Sequence, residues 1–321
     1  MSPTIIVAVD QFHDEHVERI ARAAEGWAEV RHLPETMSAR EWESALADAI
    51  AVVGWPPAPL LGDAAVRLVV CGSAGFNAYL GEGVEENPSL VFCNSRGTMA
   101  IPVAEHAVAQ MMILATKIRV HLDQRPADFR RLDPDAYEEV AGSTAVIVGL
   151  GDIGRALAER CLGLGMSVIG VRREGGDGDG HPVLGLDQLD EAVRKADHLF
   201  LTLPGGPATE GMIDERTIYQ LQPTAYLYNL SRGSVIDETA LLAAVREGRI
   251  AGVALDVFAT EPLPVDSPWW NEERALLTPH VAGLSKRFPD RYADLAVANI
   301  RAARTGGDYV NEVDLRTGAF V

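Results

Sequence analysis

The chain has 321 residues, which at about 150 residues per domain predicts two domains. With 47% hydrophobic and 23% charged residues it has the makeup of a globular protein that buries sizeable cores. Its 46 acidic against 28 basic side chains give a net charge of −18, which argues against nucleic acid or an anionic membrane surface as main partner. A small anionic ligand stays open, since it needs only a local cluster of positive groups. Cys71, Cys93 and Cys161 are far apart and lack metal-ligand spacing, so a reduced, cytoplasmic setting is expected and no metal site. The N-terminus lacks the basic start and long apolar core of a signal peptide, and no apolar run is long enough to span a membrane.

From residue 1 to about 95, apolar runs at 4–9, 29–33, 51–53, 66–71 and 90–93 read as buried strands. Between them, 13–24 and 39–49 carry apolar residues near helical spacing. Strands alternating with helices predict a parallel sheet with helices on both faces. The prolines of WPPAP at 55–59 demand a loop. Residues 102–120 predict one long apolar helix, with Pro102 suited to its first turn, that bridges two domains or packs on a partner subunit. A denser series follows, with six strands at 144–149, 167–171, 198–201, 225–230, 253–257 and 276–278. Helices such as 155–164, 187–196 and 238–247 fall between them. The GGDGDG run at 175–180 reads as an exposed turn, 289–304 as a C-terminal helix, and the remainder as a polar tail.

TAVIVGLGDIGR, at 144–155, sets Gly149, Gly151 and Gly154 as G-x-G-x-x-G between an apolar strand and a helix. The first glycine makes the tight turn, the second admits a pyrophosphate close to the backbone, and the third lets helix and strand pack closely. The helix N-terminus, with Asp152 and Ile153, then faces the phosphates with N–H groups and partial positive charge. The motif alone is weak, but its strand–turn–helix setting makes it a dinucleotide site. The acidic residue expected roughly 20 residues on, to bind the ribose hydroxyls of NAD, is missing. In its place stand Arg172 and Arg173, with no carboxylate until Glu174. Two guanidiniums there can pair with a 2′-phosphate, so NADP is the expected cofactor and NAD the possible one. The plainer alternative is that both arginines are solvated surface residues.

Three further segments follow strand ends, where ligands bind in open parallel sheets. Arg232 follows the strand at 225–230, Glu261 follows 253–257, and His280 follows 276–278. Reduction of a 2-keto acid needs a cation for the carboxylate, a proton donor for the carbonyl oxygen and a hydride source. Arg232 offers a planar fork of donors for the first task. His280 can give and recover a proton near neutral pH. Glu261, bonded to that imidazole, would fix its orientation.

The segment NLSRGSVIDETALLAAVREGRIAGVALDVFATEPLP, followed by LLTPHVAG, resembles the D-isomer-specific 2-hydroxyacid dehydrogenase family. Glyoxylate/hydroxypyruvate reductases and phosphoglycerate dehydrogenases belong to it. The resemblance runs from Ser73 through Val103, Ala104, Glu105 and His106 to Gly283, and so covers most of the chain. It implies that Arg232, Glu261 and His280 are catalytic. It implies cofactor contacts at Asp256, beside the nicotinamide carboxamide, at Leu203, Pro204 and Thr209 on the phosphate side, and at Gly283. It gives the substrate carboxylate to the backbone N–H groups of Ser73, Ala74 and Gly75. The implied fold is α/β with two doubly wound parallel-sheet domains: a Rossmann cofactor domain, 96–289, inserted into a flavodoxin-like substrate domain, 1–95 plus 290–321. Family members are usually homodimers joined through the cofactor domain, which suits the apolar helix at Pro102. Asn77 stands where the family often has Asp, which bears on that loop's geometry. Glu261 stands where formate dehydrogenases have Gln, which argues for a hydroxy-acid reaction.

His106, early in the long helix, reads as structural. His13, His16, His32, His121, His181 and His198 have no constellation around them, and Trp269 and Trp270 read as apolar filling. The three cysteines sit in apolar runs and look like small buried hydrophobes. The expected function is reduction of a small 2-keto acid, glyoxylate or hydroxypyruvate, to the D-2-hydroxy acid with NAD(P)H. The alternatives are NAD-dependent oxidation of a phosphorylated or bulkier D-2-hydroxy acid, and a cofactor-sensing module of the corepressor type that keeps this fold.

Overall fold

The computed structural model describes residues 3–124, 129–178 and 180–321. Two compact units emerge, Met1–Met99 with Ser285–Val321, and Ala100–Leu284, against expected junctions at 95/96 and 289/290.

In the first unit, β1 (Thr4–Ala8), β2 (Glu29–Leu33), β3 (Ala49–Gly54), β4 (Leu68–Cys71) and β5 (Val91–Cys93) run parallel in the order β5-β4-β3-β1-β2. That is the flavodoxin-like order. Side chains alternate across β1: Ile5 and Val7 pack with Ile20 of α1 (Asp14–Ala24) and with Tyr292 and Ala296 of the C-terminal helix Phe288–Thr305. Ile6 and Ala8 pack on the other face with Trp42 and Leu46 of α2 (Ala39–Leu46). Burial on both faces accounts for the uninterrupted apolar run. Two expectations are corrected here. β2 is not buried but partly exposed, because it is the sheet's edge. The expected polar tail is not free: Glu312–Asp314 adds to β5 in antiparallel fashion, and Ala319–Phe320 pairs with it in turn.

The second unit begins with α3 (Ala100–Ala115) and α4 (Ile118–Asp123). The expected single helix over 102–120 is broken at Lys117, which takes a left-handed φ of 56°. No glycine or proline marks that break in the sequence. Then come β6 (Thr144–Val148), α5 (Asp152–Gly163), β7 (Ser167–Arg172), β8 (Gly176–Asp177), β9 (Pro182–Gly185), α6 (Leu189–Val193) and β10 (His198–Leu201). α7 (Glu215–Ile218), β11 (Tyr226–Asn229), α8 (Glu238–Arg246), β12 (Gly252–Leu255) and β13 (Ala275–Leu277) complete it. The sheet order is β13-β12-β11-β10-β6-β7-β9-β8, parallel except for the β8–β9 hairpin. Part of the run expected as an exposed turn is thus a strand, and β9 is a seventh parallel strand that the apolar pattern did not mark; Asp179 lies outside the described residues. The helix expected over 187–196 is shorter, following a 3₁₀ turn at Leu186–Gln188.

Strand order reverses between β6 and β10, the crevice where doubly wound sheets bind ligands beyond the strands' carboxyl ends. Cys71, Cys93 and Cys161 are free and buried. Among the described residues, no helix is long and apolar enough to cross a membrane.

Candidate active site

The glycine loop leaves β6 at the switch point. Gly149 has φ +104°, and a Cβ there would stand 2.7 Å from the Leu203 nitrogen. Gly154 packs so tightly that a Cβ would overlap the Gly149 carbonyl oxygen, which also accepts the Thr202 hydroxyl at 2.7 Å. A Cβ on Gly151, by contrast, would meet nothing within 4 Å. The outer two glycines therefore serve packing, and the middle one faces open space where α5 begins. That is the division a pyrophosphate site requires, with Asp152 and Ile153 in the first helical turn. Leu203 and Pro204 follow β10 and are pinned by their carbonyls: Ser231 donates its hydroxyl to Leu203 at 2.6 Å, and Thr209 donates to Pro204 at 2.8 Å.

Arg172 and Arg173 differ in what they do. Arg172 ends β7 and curls onto its own loop, donating from Nε to the Glu174 carbonyl at 2.8 Å and from Nη2 to Gly175 at 3.2 Å. Arg173 is exposed and has no hydrogen-bond or ion-pair partner among the described residues. Both line an open recess of about 400 Å³ with Glu174 and Gly175.

Arg232, Glu261 and His280 lie beyond the carboxyl ends of the neighbouring strands β11, β12 and β13. His280 Nδ1 and Glu261 Oε2 are 2.7 Å apart, and the other carboxylate oxygen accepts the Phe258 N–H at 3.0 Å. Burial opposes ionisation of Glu261, but the bonds from His280 and Phe258 and the charges of His280 and Arg232 outweigh it. Its carboxyl is held below the ordinary value of 4.5. A carboxyl lowered in this way contributes fully above its unfolded value and loses that contribution as pH falls through the folded one. The His280–Glu261 bond should therefore survive acidification to 4.5 and break only below it. The Nδ1 proton resonance of His280 should report that acid transition, and a Glu261→Gln variant should lack it.

The loops carrying these groups are locked together. A Cβ on Gly233 would fall inside the Phe258 carbonyl, so the Arg232 turn lies directly against the segment leading to Glu261. Buried Asn229 accepts the Ser231 N–H at 3.1 Å and donates to the Arg232 carbonyl at 3.1 Å. Glu238, opening α8, accepts the Ala259 N–H. None of these three was singled out in the sequence; the one available signal was a glycine directly after an arginine at a strand's end.

Asp256 is only 2% exposed, and its carboxylate accepts three hydrogen bonds from within the chain. It accepts the Val281 and Ala282 N–H groups, each at 3.0 Å, and the Thr278 hydroxyl at 2.6 Å. It holds the segment that carries His280, which Gly283 ends in a turn closed by Leu284 N–H to the Val281 carbonyl. In the first unit, the Ser73, Ala74 and Gly75 carbonyls accept bonds from Ser95, Asn94 and the Ser73 hydroxyl. The N–H groups of Ala74 and Gly75 have no partner among the described residues, as a carboxylate-binding loop needs. Trp269 is buried in the core of the second unit, while Trp270 is half exposed.

A strand–glycine–helix turn at the switch point, with an acid–base pair and an arginine on adjacent strand ends, defines a dinucleotide-dependent oxidoreductase. The profile described as "D-isomer specific 2-hydroxyacid dehydrogenase, NAD binding domain" matches residues 108–282. Glyoxylate reductase of Korarchaeum cryptofilum is 34% identical over 227 residues, 66% of this chain and 66% of that protein. Glyoxylate/hydroxypyruvate reductase A of Yersinia enterocolitica is 31% identical, over 68% of this chain and 69% of that one. The crystal structure of a D-isomer specific 2-hydroxyacid dehydrogenase from Xanthobacter autotrophicus, in complex with NADPH and MES, superposes with TM-score 0.82. It is 26% identical and covers 99% of this chain and 100% of that one. The chain belongs to the D-isomer specific 2-hydroxyacid dehydrogenase family of NAD(P)-dependent oxidoreductases.

Proposed function

We propose that the protein reduces a small 2-keto acid, of the glyoxylate or hydroxypyruvate type, to the D-2-hydroxy acid, with NADPH preferred over NADH. The observation that carries this reading is the 2.7 Å His280–Glu261 pair on strand ends adjacent to Arg232. Gly149, Gly151 and Gly154 with the start of α5 would hold the cofactor's pyrophosphate, and Arg173 the 2′-phosphate. When bound, the cofactor supplies the hydride that the side chains cannot. Arg232 holds the carboxylate and polarises the carbonyl. His280 gives its proton to the carbonyl oxygen, so that C=O becomes CH–OH, and regains one from solvent. Glu261 keeps the imidazole oriented throughout. The Korarchaeum and Yersinia relatives bear glyoxylate and hydroxypyruvate reductase names, and the Xanthobacter structure holds NADPH, all of which supports the reading.

We also read the protein as a homodimer. Ile118, Val120, Leu122 and Phe129 are large apolar side chains left exposed after α3, and such exposure supports contact with a second copy. The buried free thiols fit a cytoplasmic setting.

The test is kcat/KM for glyoxylate, hydroxypyruvate, pyruvate and phenylpyruvate with each reduced cofactor. One or two charge-assisted bonds to a 2′-phosphate, discounted for exposure, are worth ~1.5–3 kcal/mol, or roughly 10- to 150-fold in favour of NADPH. Arg173→Ala should remove most of that preference and leave NADH activity within a few-fold. Arg172→Ala should do less, because its guanidinium is committed to the loop. A wild type that prefers NADH would mean that neither arginine serves a 2′-phosphate.

A further inference from the structure

The positive φ of His280, 53°, is rarely adopted by residues other than glycine and must be held by its surroundings. What holds it is Asp256, whose backbone carbonyl accepts the His280 N–H at 2.8 Å while its carboxylate takes Val281 and Ala282. The third donor to that buried carboxylate is Thr278, and the hydroxyl can be accounted for atom by atom. It has one proton, given to Asp256 at 2.6 Å, so its lone pairs can only accept. They face Gln110 Nε2 at 3.3 Å and His106 Nε2 at 3.1 Å, both on α3. His106 must therefore carry its proton on Nε2. The Gln110 amide gives its NH₂ to Thr278 while its own Oε1 is buried with no partner. An orphaned oxygen of this kind is costly, so the amide's orientation is set by what Thr278 needs. The bonds thus run without a gap from α3 to the loop that presents the imidazole. They tie residues 172 apart in sequence, near the points where the chain enters and leaves this unit.

We infer that Thr278 and His106 are positioning residues for the proposed reaction: through Asp256 they hold the His280 segment in the conformation from which it delivers its proton. This rests on the function proposed above, but the holding itself can be read without turnover.

The experiment compares wild type with Thr278→Val, Thr278→Ser and His106→Leu by hydrogen exchange of the segment 278–284 and by steady-state kinetics on hydroxypyruvate. Thr278→Val should speed exchange of the Val281 and Ala282 amides and lower kcat, each by about tenfold or more, the order of one lost bond to a buried charge. The keto acid KM should stay within about threefold, because substrate anchoring is untouched. Thr278→Ser should restore both, and His106→Leu should move both in the same direction by less. If Thr278→Val does not fold, His106→Leu is read by the same criteria. A folded variant with unchanged exchange or unchanged kcat overturns the inference, as does a loss that serine fails to rescue. A wild type that turns over no keto acid would refute the proposed function instead, and the exchange result would still decide whether these residues hold the segment.

Discussion

His280→Ala should lower kcat by at least ~10²-fold, the low end of what a positioned general acid contributes. Its Nδ1 is occupied by Glu261, which fixes the ring and leaves Nε2 as the nitrogen free to serve a substrate. Alanine would remove the proposed proton source without touching the glycine loop, so cofactor affinity should change far less than kcat. Fluorescence titration with NADPH beside steady-state kinetics separates the two. A His280→Ala protein with near-wild-type turnover would remove His280 from the mechanism and leave the pair with Glu261 a structural contact.

The second large effect is expected at Arg232. Its Nη1 donates to the Ser231 carbonyl at 2.7 Å, a bond that steadies the guanidinium. Arg232→Lys keeps the charge but loses the planar fork, so kcat/KM should fall steeply despite the conservative change. Arg232→Ala should fall further and do so for every keto acid whatever its side chain, because the proposed contact is to the common carboxylate. Comparing hydroxypyruvate with dihydroxyacetone, which lacks that carboxylate, checks the origin of the loss. Unchanged activity on keto acids in Arg232→Ala would mean that the carboxylate is held elsewhere.

Much of this could be read from the chain because the relevant physics is local. An apolar run, a glycine turn and a helix start suffice to define the loop at Gly149, and Arg232, Glu261 and His280 each lie in the loop that follows a strand. What local pattern could not supply was side-chain direction across the sheet. Asp256 was expected only as a cofactor contact, and that its carboxylate also accepts the Val281 and Ala282 N–H groups is shown by the fold alone. His106 read as structural, and its bond partner Thr278 lies on the far side of the unit's sequence. Arg172 and Arg173 are alike as a pair of cations, yet one is consumed by its own loop. The edge position of β2 was in part legible: Glu29, Arg31 and His32 make it polar where the interior strands are apolar, although its place in the sheet is set by topology. The break at Lys117 carries no residue signal at all.

The central claim is that Arg232 and His280 act on a 2-keto acid to give the D-configured alcohol. Chiral analysis of the product formed from hydroxypyruvate and NADPH tests it most directly. The account predicts D-glycerate, formed in step with cofactor oxidation by the wild type and at least ~10²-fold more slowly by His280→Ala. L-glycerate, or cofactor oxidation without glycerate, would contradict it.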